Sequence, residues 1–320
     1  MSKNRLLAIL IGAGLVGGAI WYWKKRRRDS AWSVYNSLAE VGQAHAEYLR
    51  IKYPTYYKKF KKLLAADSEA ALGEAVVFSL LKTYFRCSPQ PADEPGTGGV
   101  DFVCYKDRPE EFVVEVTSLK PEAVTAQSGI PVTVEDGTGG AFEMTTDQLF
   151  ATVRGKADQL ADYPCPRVLA ITSTHPASSF LLGQTGAEFL LTSEPTITYP
   201  PAGSGGAVTL KTNLRRSVFF APGESGDKIV PRRQSVSAVL LIALADNQSS
   251  IVGLLHPEPS RKLSIEHFRN VPFLRLAKWP IKAGAINTEW VISSPESRNF
   301  LHAPIRMAAN LVENLLEFSG

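Results

Sequence analysis

The apolar positions of this chain follow several different periods, and each period marks a different kind of segment. Leu6 to Trp23 is a run of 18 residues without a charge, the lower limit for a helix that spans a bilayer. Lys3 and Arg5 precede it, and Lys24, Lys25, Arg26, Arg27 and Arg28 follow it directly. Trp21, Tyr22 and Trp23 stand where an interfacial aromatic belt would lie, and no small-residue cleavage site precedes them. Residues 1–29 are therefore predicted to be an uncleaved transmembrane anchor with its basic flank. The excess of cations after the span puts the N-terminus outside and the body in the cytoplasm, as at a bacterial inner membrane. Gly14 and Gly18 form a GxxxG pair that would let two anchors pack as a homo-oligomer.

Residues 30–67 read as a helical, basic linker. Arg50, Lys52, Lys58, Lys59, Lys61 and Lys62 are interleaved there with Tyr53, Tyr56, Tyr57 and Phe60, a mixture that suits phosphates, an anionic leaflet or a solvated helix face. A folded domain over 68–320 is expected to open with a helix from Ser68 to Phe85 that is apolar on most sides. Val100 to Tyr105 and Glu111 to Leu119 are short β-rich runs about a polar turn, and predict a hairpin. A helix follows from about Thr146, with Thr145 and Gln148 at capping-box spacing, to Asp162. Val168 to Thr172 predicts a buried strand and Ser178 to Leu191 a helix. Pro195 to Pro231 is rich in Gly and Pro and poorly patterned. Two strands, Ser237 to Ala245 and Ile251 to His256, and an amphipathic helix, Ala303 to Phe318, close the chain. The order of helices and strands, without internal repeats, indicates an α/β or α+β fold.

Composition narrows the function classes. With 44% hydrophobic and 21% charged residues the chain is globular. Its net charge of +4 comes from the anchor flank: residues 1–28 hold seven Lys/Arg and no acid, leaving 28 basic against 31 acidic residues elsewhere. Coating nucleic acid by bulk charge is thereby disfavoured, whereas a local basic patch is not. Cys87, Cys104 and Cys165 form no CxxC pair, which argues for a reducing compartment and against a thiolate zinc site. The five histidines show no HExxH spacing, and no GxSxG or P-loop occurs. Gly12, Gly14 and Gly17 satisfy GxGxxG and so offer an NAD- or FAD-dependent enzyme as an alternative. The amphipathic helix and the second strand ending in an acid that such a turn requires do not follow.

The residues that carry chemistry lie in the hairpin and its neighbouring helices. Counting outward from the turn pairs Tyr105 with Glu111, Val103 with Val113, and Asp101 with Glu115. Directly opposed residues have Cβ atoms about 4.5–5.5 Å apart, and facing like charges destabilise a sheet. Apolar residues flank both acids, so a bridging divalent cation, Mg²⁺ or Mn²⁺ for hard oxygen ligands, would remove the conflict. On a helical wheel Lys156 falls in the apolar stripe of Leu149, Val153 and Leu160, and Glu74 lines up with Phe78, Leu81 and Phe85. Each is misplaced for packing alone.

With these residues the sequence resembles the PD-(D/E)XK nuclease superfamily. The resembling pieces are Glu74 in Gly-Glu-Ala-Val-Val-Phe, Gly99-Val100-Asp101-Phe102 in place of Pro-Asp, Val114-Glu115-Val116-Thr117, and Lys156 with Gln159 in Lys-Ala-Asp-Gln-Leu. The resemblance implies a restriction-endonuclease-like α/β core, a central mixed sheet flanked by helices, with metal-dependent phosphodiester cleavage of nucleic acid, DNA before RNA. It implies that Asp101, Glu115 and the Val116 carbonyl hold the metal, with Glu74 completing the site or binding through water, and that Lys156 and Gln159 orient the attacking water. The chain departs from the family where Thr117 occupies the motif lysine position. Lys120 is turned to the other face of the strand, whereas some family members supply the lysine from the neighbouring helix, as Lys156 would. The same fold without chemistry, a membrane-tethered binding or assembly protein, is the alternative from another class.

Overall fold

The computed structural model describes residues 38–92, 99–122, 142–192, 195–198, 209–212, 217–224, 228–244, 250–281 and 286–292. The expected anchor at 6–23, the GxGxxG turn within it and the expected helix at 303–318 lie outside the described residues. Among the described residues no helix is long and apolar enough to cross a membrane.

Helices α1 (38–52) and α2 (Pro54–Ala66) are separated at Tyr53. Pro54 starts α2, where its missing N–H costs nothing. Asp67 then ends α2 and caps α3 (Ser68–Ser79), accepting the Ala70 N–H at 3.2 Å. A π-helical turn over Leu80–Tyr84 extends α3. Strands β1 (Gln90–Pro91), β2 (Phe102–Cys104) and β3 (Phe112–Ser118) form an antiparallel set. Helix α4 (Phe142–Gln159) crosses over to β4 (Arg167–Ser173), which lies parallel to β3. Helices α5 (Ser178–Leu181) and α6 (Gln184–Thr192) follow. Two small antiparallel ribbons come next, β5 (Pro195–Thr198) with β6 (Thr209–Thr212) and β7 (Phe220–Pro222) with β8 (Ile229–Pro231). The main sheet is completed by β9 (Ala238–Ala243), β10 (Ser250–Leu255), β11 (Pro272–Leu276) and β12 (Thr288–Ile292), in the order β1-β2-β3-β4-β9-β10-β11-β12. The protein is thus α/β, with a large mixed central sheet flanked by helices.

The period of two along the strands divides the interior into two cores. Phe102, Phe112, Val114, Val116, Val168, Ala170 and Leu240 meet α1, α2 and α3 on one face. Val113, Leu169, Ile171, Val239, Leu241 and Leu254 meet α4, α5 and α6 on the other. Glu115 has the parity of Val113 and faces α4, whereas α3 lies across the opposite face.

Several sequence expectations are corrected. The stretch 38–66, expected as a linker, belongs to the core: Leu38, Val41, Tyr48, Leu49 and Phe60 are buried with the sheet. His45 joins the three helices by lying 4.9 Å from the Phe60 ring and 4.6 Å from that of Phe78. Helix α4 is already under way at Thr145, so no capping box starts it. The helix expected over Ser178 to Leu191 breaks in two, and Gly186 is needed there because the Leu181 carbonyl lies where its Cβ would stand. Strands β11 and β12 were not anticipated: Pro272 and the exposed Arg275 interrupt the apolar run of β11. Proline is tolerated there as the first strand residue.

Two glycines give a matched test of packing. A methyl group at Gly73 would meet the Ser118 and Thr172 hydroxyls, which bond to each other at 2.7 Å, whereas one at Gly155 would meet nothing within 4 Å. Gly73→Ala is expected to destabilise the fold by roughly 1–3 kcal/mol through overpacking. Gly155→Ala, in open space on α4, should stabilise it by roughly 0.5–1 kcal/mol. Chemical denaturation of the two variants checks both signs.

Candidate active site

The hairpin has the expected register, with Phe102 opposite Val114, Val103 opposite Val113 and Cys104 opposite Phe112. Strand β2 begins only at Phe102, while β3 runs on to Ser118 beside β4. The backbone edge of β3 beyond Val114 therefore has no β2 partner. N–H groups of alternate residues point to alternate sides of a strand, and that of Val116 points to this edge. Asp101 takes it: Oδ2 accepts the Val116 N–H at 2.8 Å. Asp101 is itself held by its N–H donating to Val114 O at 3.1 Å and its carbonyl accepting from the Ala92 N–H at 3.0 Å. The Val100 N–H donates to the Tyr163 hydroxyl at 3.0 Å, which ties the start of β2 to the end of α4.

Glu115 is buried beneath α4, and the Lys156 Nζ lies 2.6 Å from its Oε1. The Glu115 side chain is 8% exposed and that of Lys156 30%, so solvent screens this pair less than a surface salt bridge. Lys156 occupies the expected place, one turn from buried Val153 and Leu160 on the face toward the sheet.

Glu74 reaches the same edge from the opposite face, on α3. The Gly73 contact lets α3 lie close on the ends of β3 and β4. Its first turn is pinned by Glu69, which accepts the Thr174 N–H at 2.9 Å and the Thr174 hydroxyl at 2.7 Å. Burial pushes the Glu74 carboxyl up to about 8, and repulsion by Asp101 and Glu115 adds to it, while the Lys59 ammonium pulls the other way. Asp101 is pushed up to about 7 by burial and then by Glu115, against the Val116 N–H and the cations Lys59 and Lys156. The cluster is thus acidic, desolvated and short of positive charge. Asp101 sits between Glu74 on one face of the sheet and the Glu115–Lys156 pair on the other.

Of the expected site residues, Asp101, Glu115, Val116 and Lys156 are in direct contact or on the adjoining edge, and Glu74 is within electrostatic reach. Gln159 is exposed on the last turn of α4. Lys59 was legible only as part of a basic stretch. Its signal was its distance from Asp67: it lies eight residues before that junction, while Glu74 lies seven after it. Lys120 is ion-paired with Asp67 at 2.6 Å, away from Glu115. His256 is structural, its ring bonded to the Arg232 carbonyl at 2.7 Å and to the Glu258 N–H at 3.0 Å. Among the described residues no group of three or more His, Cys, Asp or Glu is placed to hold a metal ion. The carboxylates that can ligate together are therefore at most two. No protein-family model, curated protein or solved structure matches this chain.

The displaced carboxyls have a consequence for stability. An acid whose folded value is raised above its unfolded one favours folding in its protonated form. That contribution is complete below the ordinary values of 3.8 and 4.5 for Asp101 and Glu74, and is lost as pH rises toward 7 and 8. The metal-free protein is expected to melt lower at about pH 8.5 than at about pH 5. Asp101→Asn retains an oxygen for the Val116 N–H and should narrow that gap, by about 2–4 °C for each kcal/mol relieved. Melting curves of the two proteins at both pH values measure it; an unchanged gap would show that Asp101 is not strained.

Proposed function

We propose that this chain is a metal-dependent nuclease with a restriction-endonuclease-like core of the PD-(D/E)XK type. It hydrolyses phosphodiester bonds of nucleic acid, DNA before RNA, at the cytoplasmic face of a membrane to which residues 6–23 anchor it. One observation carries the reading: Asp101, at the entry to β2, and Glu115, on β3, act on each other electrostatically beside Lys156 of α4, with Glu74 of α3 within electrostatic reach.

The donor chemistry fits a hard divalent cation. Asp101 and Glu115 supply carboxylate oxygens, and the Val116 carbonyl shares the side of its N–H, toward the open edge of β3. Glu74 stands beyond hard-ligand placement and acts from outside, through water. Bound there, Mg²⁺ or Mn²⁺ supplies a polarised phosphate and an acidified water. Lys156 lies with its Nζ against Glu115, on the α4 side of the acids. It orients the attacking water and offsets negative charge that grows on the phosphate oxygens. Glu74, held protonated near neutral pH by burial, is a proton donor and can give its proton, through water, to the leaving oxygen. Thr117 shares the face of Glu115, so a lysine entering from α4 approaches the same side as one on the strand would.

A second reading, the same fold without chemistry as a tethered binding or assembly protein, is favoured by two observations: Lys156 satisfies Glu115 directly, and among the described residues no set of three acids is placed to hold a metal ion. Metal titration separates the two. The full-length protein is expected to bind Mn²⁺ in calorimetry and to cut DNA in its presence, and Asp101→Ala and Glu115→Ala should each lose both. Lys156→Ala should retain Mn²⁺ binding, since a competing cation is removed, while cleavage falls by about 100-fold or more. Absence of both metal binding and cleavage in the wild type would leave the binding-protein reading.

A further inference from the structure

Helix α2 carries a charge pattern that the packing of the protein does not use. Its sequence, Pro54 to Ala66, contains four lysines and no acid. Tyr56, Tyr57, Phe60, Leu63 and Leu64 turn toward the core, and buried Phe60 fixes the rotation of the helix. Lys58, Lys59, Lys61 and Lys62 are consequently all exposed on the other face, and none is ion-paired with a described residue. Four like charges within five residues repel one another, and a helix that gains nothing from them internally is at best neutral to losing them.

The place of this face in the fold gives it an occupant. Helices α2 and α3 join at the single residue Asp67 and bury Phe60 and Phe78 in the same core, on one face of the sheet. Lys59 and Glu74 are eight and seven residues from that junction. Of the four lysines, Lys59 is the one that acts electrostatically on both Glu74 and Asp101. An acidic, desolvated site repels a polyanion, so a phosphodiester chain must be held by cations next to it.

We infer that the exposed lysine face of α2 is a phosphate track that guides a nucleic-acid strand to the edge of β3, with Lys58, Lys61 and Lys62 gripping the backbone and Lys59 contacting the phosphate next to the acids. The inference rests on the nuclease reading for its occupant, but its contacts are to phosphates and need no metal. The contacts are to backbone, so the track is indifferent to base sequence.

Binding of a fluorescent DNA oligonucleotide to the full-length chain in detergent, measured by anisotropy without metal between about 50 and 200 mM salt, tests it. Replacing all four lysines with glutamine, a comparable helix former, should weaken binding at least tenfold and reduce the slope of log affinity against log salt by about 3. The matching four-arginine variant should restore both. Unchanged affinity and slope in the glutamine variant overturn the inference, as does failure of the arginine variant to restore them. So does a glutamine variant that loses only its binding to phosphatidylserine vesicles, which would make the face a membrane contact. The two proposals fail separately. Cleavage by a protein whose DNA binding ignores α2 leaves the nuclease without this track, and lysine-dependent binding without metal-dependent cleavage leaves the track without the nuclease.

Discussion

The hydrogen bond from the Val116 N–H to Asp101 Oδ2 closes an edge that β2 leaves open. A buried backbone donor without a partner costs about 1–3 kcal/mol, and β2 begins too late to supply one. Asp101 supplies it with a side chain instead of a main chain, and that substitution brings a carboxylate to the level of Glu115. The opposition of the two acids follows from the hairpin register, which the apolar pairs Phe102–Val114 and Cys104–Phe112 fix from the other face. A slip of one residue would move Glu115 from the α4 face to the α3 face and separate it from Lys156. The site therefore depends on the hydrophobic pattern of the hairpin as much as on its charged residues.

The distribution of charge about this edge is unequal in a way that matters. One face of the sheet has a tight pair, Glu115 with Lys156, and the edge and the other face have two acids, Asp101 and Glu74, answered from a distance by Lys59. Burial and mutual repulsion raise both of those acids, so the apo fold near neutral pH keeps them partly protonated rather than bearing three negative charges. Such an arrangement costs stability that an apolar edge would not. The lysine face of α2 lies on the deficient side, next to Glu74.

Much of this was legible because strand and helix periods are short-range. The facing of Asp101 and Glu115 followed from counting outward from the Lys106–Glu110 turn. Lys156 stood out because a cation interrupts the Leu149–Val153–Leu160 stripe. What was not legible depends on relations between distant segments. The apolar positions about Phe60 do share one helix face, but their stretch is basic, and nothing local says which surface that face, with Leu38 and Tyr48, would meet. Thr145 and Gln148 have the local chemistry of a cap, yet the helix starts earlier. The β11 strand is stabilised by β10 on one side and β12 on the other, and so tolerates Pro272 and Arg275, which in isolation argue against a strand.

Thr117 and Lys156 mark two ways of placing a side chain beside Glu115. Residues 115 and 117 share a face, and a lysine at 117 would stand one pleat from Glu115 with a flexible stem along the sheet. Lys156 reaches the same carboxylate from above, on a helix whose Leu149, Val153 and Leu160 are locked in the core. Its position is therefore set by helix packing, which is more restrictive than the reach of a strand side chain. On the opposite face of β3, the small side chain of Ser118 is where α3 comes close, at Gly73. A longer side chain at 118 would push that helix away, and Glu74 with it. Residue 117 points away from α3, so the two faces of β3 are independent: Ser118 holds α3, and with it Glu74, on one side, while α4 brings Lys156 to Glu115 on the other.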